Sequence, residues 1–209
     1  MNPANICVNG VILAGGKGSR MQFQEKPLLP LGNRRVMDWI LQSAIPQVSQ
    51  LLINVNKAAE RYAEFGLPLI SDSFSNDPGP LAGLHAAMLW SLTNHPGCTH
   101  VACFPGDVPW FDHDYVQRVL DLMRHERTQI GWLQTEQQHQ PLFSVWDIRM
   151  EKLLALALER GHYSPMAFTR SHSNSLLVLA ETKPGYYLNL NSPEDMILAR
   201  TFAEQFTHD

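Results

Sequence analysis

Val11-Ile12-Leu13-Ala14-Gly15-Gly16-Lys17-Gly18-Ser19-Arg20-Met21 decides how this chain is read. Its branched and aliphatic start suits a strand covered on both faces. The strand runs straight into a loop with glycine at three of four positions, Gly15, Gly16 and Gly18. Without a Cβ, such a loop can turn successive N–H groups toward one anion. Arg20 follows, and six residues later Lys26. Oriented amides and two cations at the carboxyl end of a buried strand make a polyphosphate cradle. Leu13, Ala14, Gly15, Gly16 and Lys26 are therefore its candidate lining, with Arg20 beside it. Two other phosphate loops fail on spacing. A P-loop read from Gly10 reaches Gly15 but then finds Gly16 in place of lysine, and a dinucleotide fingerprint read from Gly16 meets Met21 where its third glycine belongs.

Working outward, Leu51-Leu52-Ile53-Asn54-Val55 reads as a second strand, and Leu69-Ile70 and Val101-Ala102-Cys103-Phe104 as two more. Met37, Ile40, Leu41 and Ala44 recur at the spacing of a helix with one buried face. Leu81, Leu84, Ala87 and Met88 repeat the pattern, which stops near Asn94-His95-Pro96-Gly97. Strands alternating with helices build βαβ units and hence a mainly parallel sheet. Ile130–Leu133 and Leu142–Trp146, close together across a Gln-rich turn, predict a small antiparallel part within or beside that sheet. A last helix is expected after Ser192, an N-cap, with Pro193 in the first turn and acids Glu194 and Asp195 near the positive end of the dipole. The predicted fold is α/β, Rossmann-like, with three layers.

With 209 residues, 44% hydrophobic and 17% charged, the chain suits one domain spanning 1–209. A net charge of −4, spread along the chain, gives no basic footprint for nucleic acid or a membrane surface. Cys7, Cys98 and Cys103 lack zinc-ligand spacing and are too few for a disulfide framework. No apolar run reaches membrane-spanning length, and Met1–Asn5 has no basic lead into an apolar segment. A soluble cytoplasmic protein is expected.

Past the loop, one acid stands out. Phe104-Pro105-Gly106-Asp107-Val108-Pro109 ends an apolar strand in a carboxylate flanked by prolines and a glycine. Mg²⁺ takes hard oxygens, commonly one or two carboxylates plus substrate phosphates, which makes Asp107 the candidate metal ligand. Asn56 is read as a helix cap. His85, within an apolar helix, has no ligand spacing and is read as a surface or satisfied interior residue, and Ser19, Ser71 and Ser144 have no nucleophile-elbow context.

The opening L-A-G-G-x-G-x-R-M followed by Lys26 resembles the signature of nucleotidyltransferases with a GT-A-like Rossmannoid fold, and most of all the molybdenum cofactor guanylyltransferases. Gly79-Pro80-Leu81-Ala82-Gly83, Asp107-Val108-Pro109 and Asn189-Leu190-Asn191-Ser192-Pro193-Glu194 extend the likeness to about Asp195. The resemblance implies Mg²⁺-dependent transfer of GMP from GTP to the terminal phosphate of molybdopterin, with pyrophosphate leaving. It implies Arg20, Lys26 and Asp107 as catalytic, and adds Asn54, Asp72 and Gly83 to the nucleotide site. Asp72 would accept from guanine N–H groups or a ribose hydroxyl, and Gly83 would let backbone approach the base or sugar. Gln140, at the active-site mouth, and Asn189 and Asn191 would meet the pterin substrate or a phosphate, with Asn191 alternatively fixing the last helix. Proteins of molybdopterin synthesis and molybdoenzyme maturation are the partners so implied. A phosphate monoester acceptor is already anionic at neutral pH, so the reaction asks for positioning and charge stabilisation rather than a strong base.

Departures are visible. Gln22-Phe23 replaces family glycines, Glu25 replaces an aspartate before the lysine, and Pro27 stands where the family carries glycine. Transfer with CTP or onto a sugar phosphate, and nucleotide binding without catalysis, are the other readings. Leu13-Ala14-Gly15-Gly16 favours the guanylyl branch, because cytidylyl relatives usually show L-A-A-G.

Overall fold

A computed structural model describes residues 6–15, 25–74, 79–136, 138–180 and 182–206. Its strands are β1 (Val8–Leu13), β2 (Pro30–Leu31), β3 (Arg34–Arg35), β4 (Gln50–Asn54), β5 (Leu69–Ile70), β6 (His100–Pro105), β7 (Ile130–Thr135), β8 (His139–Asp147) and β9 (Asn174–Leu179). The α-helices are α1 (Val36–Ala44), α2 (Pro80–Asn94), α3 (Tyr115–Glu126), α4 (Glu151–Glu159), α5 (Pro165–Arg170) and α6 (Pro193–Phe206).

Seven strands form one sheet in the order β5-β4-β1-β6-β8-β7-β9, and β2 and β3 make a separate hairpin. Every pairing in the larger sheet is parallel except those of β8, which runs antiparallel between β6 and β7. The expected antiparallel part is thus inserted within the sheet.

Alternation along the strands separates two cores. Ile12, Ile53, Ala102 and Phe104 face one side and pack with residues of α1, α3 and α6. Val11, Leu52, Val101 and Cys103 face the other, against α2 and α4. Successive side chains of a strand point to opposite faces, so a doubly covered sheet needs apolar residues at consecutive positions. Three layers follow, as expected.

Residues 81–88 of α2 are all buried, because this helix lies over β1, β4, β5 and β6 with α4 alongside. α1 buries one stripe and is capped by Asp38, whose Oδ2 accepts from the Arg35 N–H at 2.8 Å. Among the described residues no helix is long and apolar enough to cross a membrane, and the three cysteines are free.

Candidate nucleotide-binding site

β1, β4, β5 and β6 are parallel, so Leu13, Asn54, Ile70 and Pro105 end on the same edge of the sheet. The chain steps from β1 to β4 and β5 on one side, then returns to place β6 on the other. At that change of direction the connecting loops separate and leave a crevice, where ligands of open α/β sheets sit.

Two polar clusters stand there. In the first, Lys26 Nζ lies 3.1 Å from Asp107 Oδ2 and donates to Asn191 Oδ1 at 2.6 Å. Residues separated by 81 and 165 positions are thus joined at one ammonium group. Lys26 opens a 3₁₀ turn, Lys26–Leu28, in which Pro27 is buried. Just before it, Glu25 Oε2 is 2.5 Å from Arg61 Nη1, which ties the exit of the glycine loop to the helix at Ala59–Phe65.

Asp107 is delivered by a tight apposition. Gly106 N–H donates to Leu13 O at 3.1 Å, and a Cβ on Gly106 would stand 2.5 Å from that oxygen. Only glycine lets the Asp107 turn press against the end of β1. Beneath it, Phe104, Phe111, Tyr115, Phe143 and Tyr187 form a continuous aromatic cluster.

Tyr187 brings the third member in. Its N–H donates to Trp110 O at 2.8 Å and the Leu190 N–H to Asp107 O at 2.9 Å, so residues 187–190 run along the Asp107 loop. Tyr187 adopts φ +62°, a costly conformation for a large side chain, held by its ring packing and by its hydroxyl donating to Asp112 Oδ2 at 3.1 Å. Burial, reinforced by Asp112, raises its phenol far above the ordinary range and keeps it a donor.

The second cluster centres on Asp72. Asn54 Nδ2 donates to Oδ1 at 2.9 Å and Asn56 Nδ2 to Oδ2 at 2.8 Å, while the Asp72 N–H donates to Asn56 Oδ1 at 2.9 Å. Gly15 lies against the same pair, since a Cβ there would be 3.2 Å from Asn56 Nδ2 and 3.7 Å from Asn54 Oδ1. The end of β1 therefore touches both clusters.

The expectations for individual residues divide accordingly. Lys26, Asp107 and Asn191 are brought together, as are Gly15, Asn54 and Asp72. Leu13 and Ala14 lie between the groups, with Ala14 N–H donating to Asn54 O at 2.9 Å. Gly16 and Arg20 lie outside the described residues.

Several readings change. Asn56 is not a cap: the following helix begins after Ala58, and the Asn56 amide clamps Asp72. Its spacing of two from Asn54, which puts both on one face of an extended segment, was the available signal. Gly83 leaves its room to the protein: a Cβ there would fall 2.4 Å from Asn54 Oδ1 and 2.8 Å from Leu13 Cδ2, so the missing side chain accommodates Asn54 rather than a base or sugar. Gln140 is 4% exposed and donates to Tyr187 O at 3.1 Å, supporting the 187–190 segment from behind instead of facing the mouth.

Asn191 does not cap α6 with its side chain, which is engaged by Lys26. Ser192 and Asp195 form that cap reciprocally, through Ser192 N–H to Asp195 Oδ2 at 2.8 Å and Asp195 N–H to Ser192 Oγ at 3.2 Å. Asn189 is half-buried, and its side chain makes no hydrogen bond among the described residues.

Comparison with known proteins places the chain in a family. The family model described as MobA-like NTP transferase domain matches residues 10–175. A molybdenum cofactor guanylyltransferase of Yersinia pseudotuberculosis is 34% identical over 188 residues, covering 90% of this chain and 92% of that protein. One from Vibrio vulnificus is 32% identical, covering 89% and 91%. The chain belongs to the molybdenum cofactor guanylyltransferases. As a member of that family it is a nucleotidyltransferase, and its solved neighbours share the fold. Molybdopterin-guanine dinucleotide biosynthesis protein A from Archaeoglobus fulgidus superposes with a TM-score of 0.77 at 17% identity, over 94% of this chain and 99% of its own. CMP:2-keto-3-deoxy-manno-octonic acid synthetase superposes at 0.72 with 12% identity, over 96% and 99%. At these identities the likeness is one of fold.

Proposed function

We propose that this chain, as a single nucleotidyltransferase domain, transfers GMP from GTP to the terminal phosphate of molybdopterin and forms molybdopterin guanine dinucleotide. An oxygen of the acceptor phosphate bonds to the α-phosphorus, the bond from that phosphorus to the bridging oxygen of the β-phosphate breaks, and pyrophosphate leaves with the electron pair. The observation that carries the reading is the meeting of Lys26, Asp107 and Asn191 beside the Asn54–Asp72 pair at one edge of the sheet.

The roles follow from charge and reach. Lys26 offsets charge on the triphosphate and on the departing pyrophosphate, with Arg20 as the second cation. Asp72, steadied by two amides, accepts from the guanine or the ribose. Asn189 and Asn191 face the acceptor, and the Asn189 amide, without a hydrogen-bond partner among the described residues, is offered to a phosphate or pterin oxygen. Gln140 serves the acceptor side indirectly, by fixing the backbone that carries both asparagines.

A magnesium ion fits Asp107. The carboxylate is 27% exposed, and among the described residues its Oδ1 has no hydrogen-bond partner. An ion held by this carboxylate would take its remaining oxygen ligands from substrate phosphates and water. When bound, the ion supplies charge neutralisation on the triphosphate. A structural neighbour from Mycobacterium tuberculosis, described as a complex with manganese, gives a divalent ion a precedent on this scaffold. The three free thiols accord with a reducing cytoplasm shared with the proteins that make molybdopterin and mature molybdoenzymes.

The test is pyrophosphate release with Mg²⁺, molybdopterin and each nucleoside triphosphate in turn. Release with GTP alone supports the reading. Release with CTP, or only onto a sugar phosphate, overturns the donor or the acceptor, and tight GTP binding without any release makes the chain a non-catalytic binder.

A further inference from the structure

Behind Asp72 lies a second line of contacts that the reaction above does not use. His85 on α2 is 4% exposed, within a helix whose neighbours are apolar. Its Nε2 is 3.0 Å from Glu151 Oε1, at the first residue of α4, and its Nδ1 is 2.8 Å from the hydroxyl of Ser73. A carboxylate opposite Nε2 requires that nitrogen to carry hydrogen, which fixes the ring's orientation and leaves Nδ1 for Ser73. A hydroxyl both donates and accepts, so the Ser73 bond persists whether or not the imidazole is protonated. The ring edge also contacts Phe74, with centroids 5.3 Å apart.

Ser73 is exposed and adjoins Asp72 in the chain. The Asp72 loop is consequently held from both sides, by Asn54 and Asn56 toward the crevice and by His85 from the helical layer. Satisfying a buried imidazole needs partners, but it does not need one from an exposed loop. Joining that loop to a ring anchored on a third element transmits the rigidity of the α2–α4 layer to the Asp72 carboxylate. Resting on the nucleotide role proposed for Asp72, we infer that His85, oriented by Glu151, is a positioning residue that sets the Asp72 loop for the nucleotide through Ser73.

The two arms separate by substitution. In His85→Asn the side-chain amide occupies the position of Nδ1 and keeps the Ser73 arm; in His85→Gln it reaches the position of Nε2 and keeps only the Glu151 arm. GTP affinity by calorimetry, kcat and KM for GTP, and thermal midpoint are measured for both, with Ser73→Ala. His85→Gln and Ser73→Ala are expected to weaken GTP binding and raise KM about three- to tenfold, the loss of one hydrogen bond, with kcat within about twofold. His85→Asn is expected to lose more stability, because it leaves a void, yet to weaken GTP binding less than His85→Gln, because the Ser73 arm survives without the Glu151 anchor. Affinity and stability then move independently, which a purely structural histidine does not produce.

Wild-type affinity in both Ser73→Ala and His85→Gln overturns the inference, as does a loss of affinity in His85→Asn equal to that in His85→Gln. Pyrophosphate release by the wild type reads the proposed function separately, and a wild type that binds no GTP overturns both.

Discussion

Alanine in place of a helical glycine usually stabilises, by about 1 kcal/mol. Gly83→Ala should do the reverse. Its Cβ would meet Asn54 Oδ1 at 2.4 Å, Asn54 Cγ at 2.7 Å and Leu13 Cδ2 at 2.8 Å, so the Asn54 side chain has to move. That side chain is 4% exposed on the residue and hydrogen-bonds the Asp72 carboxylate at 2.9 Å. Overpacking a filled site costs roughly 1–3 kcal/mol, and a hydrogen bond to a charged group is worth roughly 1.5–3 kcal/mol. Even after the gain in helix propensity, a net loss of about 1.5–5 kcal/mol remains, equal to a fall of roughly 3–20 °C in Tm for a domain of this size. Because the displaced amide steadies Asp72, GTP affinity should drop by about tenfold as well. Thermal melts and GTP calorimetry on a double-mutant cycle with Asn54→Ala isolate the cause. In the Asn54→Ala background the two nearest of these atoms, Asn54 Oδ1 and Cγ, are gone, so Gly83→Ala should become neutral or stabilising. A Gly83→Ala single variant that melts higher than wild type and binds GTP normally would refute the packing argument.

Asp107→Ala should lower kcat by about 10²–10³ with little change in Tm, because the Lys26–Asp107 pair is partly exposed and contributes little to stability; near-normal turnover at limiting Mg²⁺ removes Asp107 from the metal site. Gly106→Ala forces a Cβ to within 2.5 Å of Leu13 O, a backbone atom that has nowhere to retreat, and should cost both Tm and turnover; wild-type melting would contradict the apposition. Burial lowers the pKa of His100 below its ordinary 6.5. The unfolded chain therefore binds that proton more readily, so the contribution of His100 is full above pH 6.5 and is lost as pH falls from there through the folded-state value. Urea melts between pH 7.5 and 5 (roughly the histidine range) should show a fall in stability that His100→Gln reduces, and identical pH profiles would exclude His100 as its source.

How much was legible in advance depended on the range of the interaction. Val11–Leu13, Leu51–Val55 and Val101–Phe104 declared themselves as strands because a doubly covered strand must be apolar at consecutive positions. Ser192 could be read as the cap of α6 because a cap and the turn it serves are neighbours in the chain, whereas Asp195 was read only through the helix dipole and its bond back to Ser192 came from the structure. β9, α3, α4 and α5 were not read, since their mixed patterns take their meaning from what they pack against. Asn56 looked like a cap because a local capping role and a distant carboxylate ask for the same side chain, and Gly83 looked like an approach for ligand because the residue that fills its space is 29 positions away in the chain.

The amino-acid order alone determined the class of the sheet, the glycine loop at its carboxyl edge and the chemical types of the site, because these are periodicities and short-range steric rules. Only the tertiary structure decided which asparagine answers which carboxylate, that Gln140 supports rather than lines the mouth, and that Tyr187 accepts φ +62° to carry Asn191 to Lys26. Those choices compare contacts between residues up to 165 positions apart, and such energies exist only once the strands have set their order.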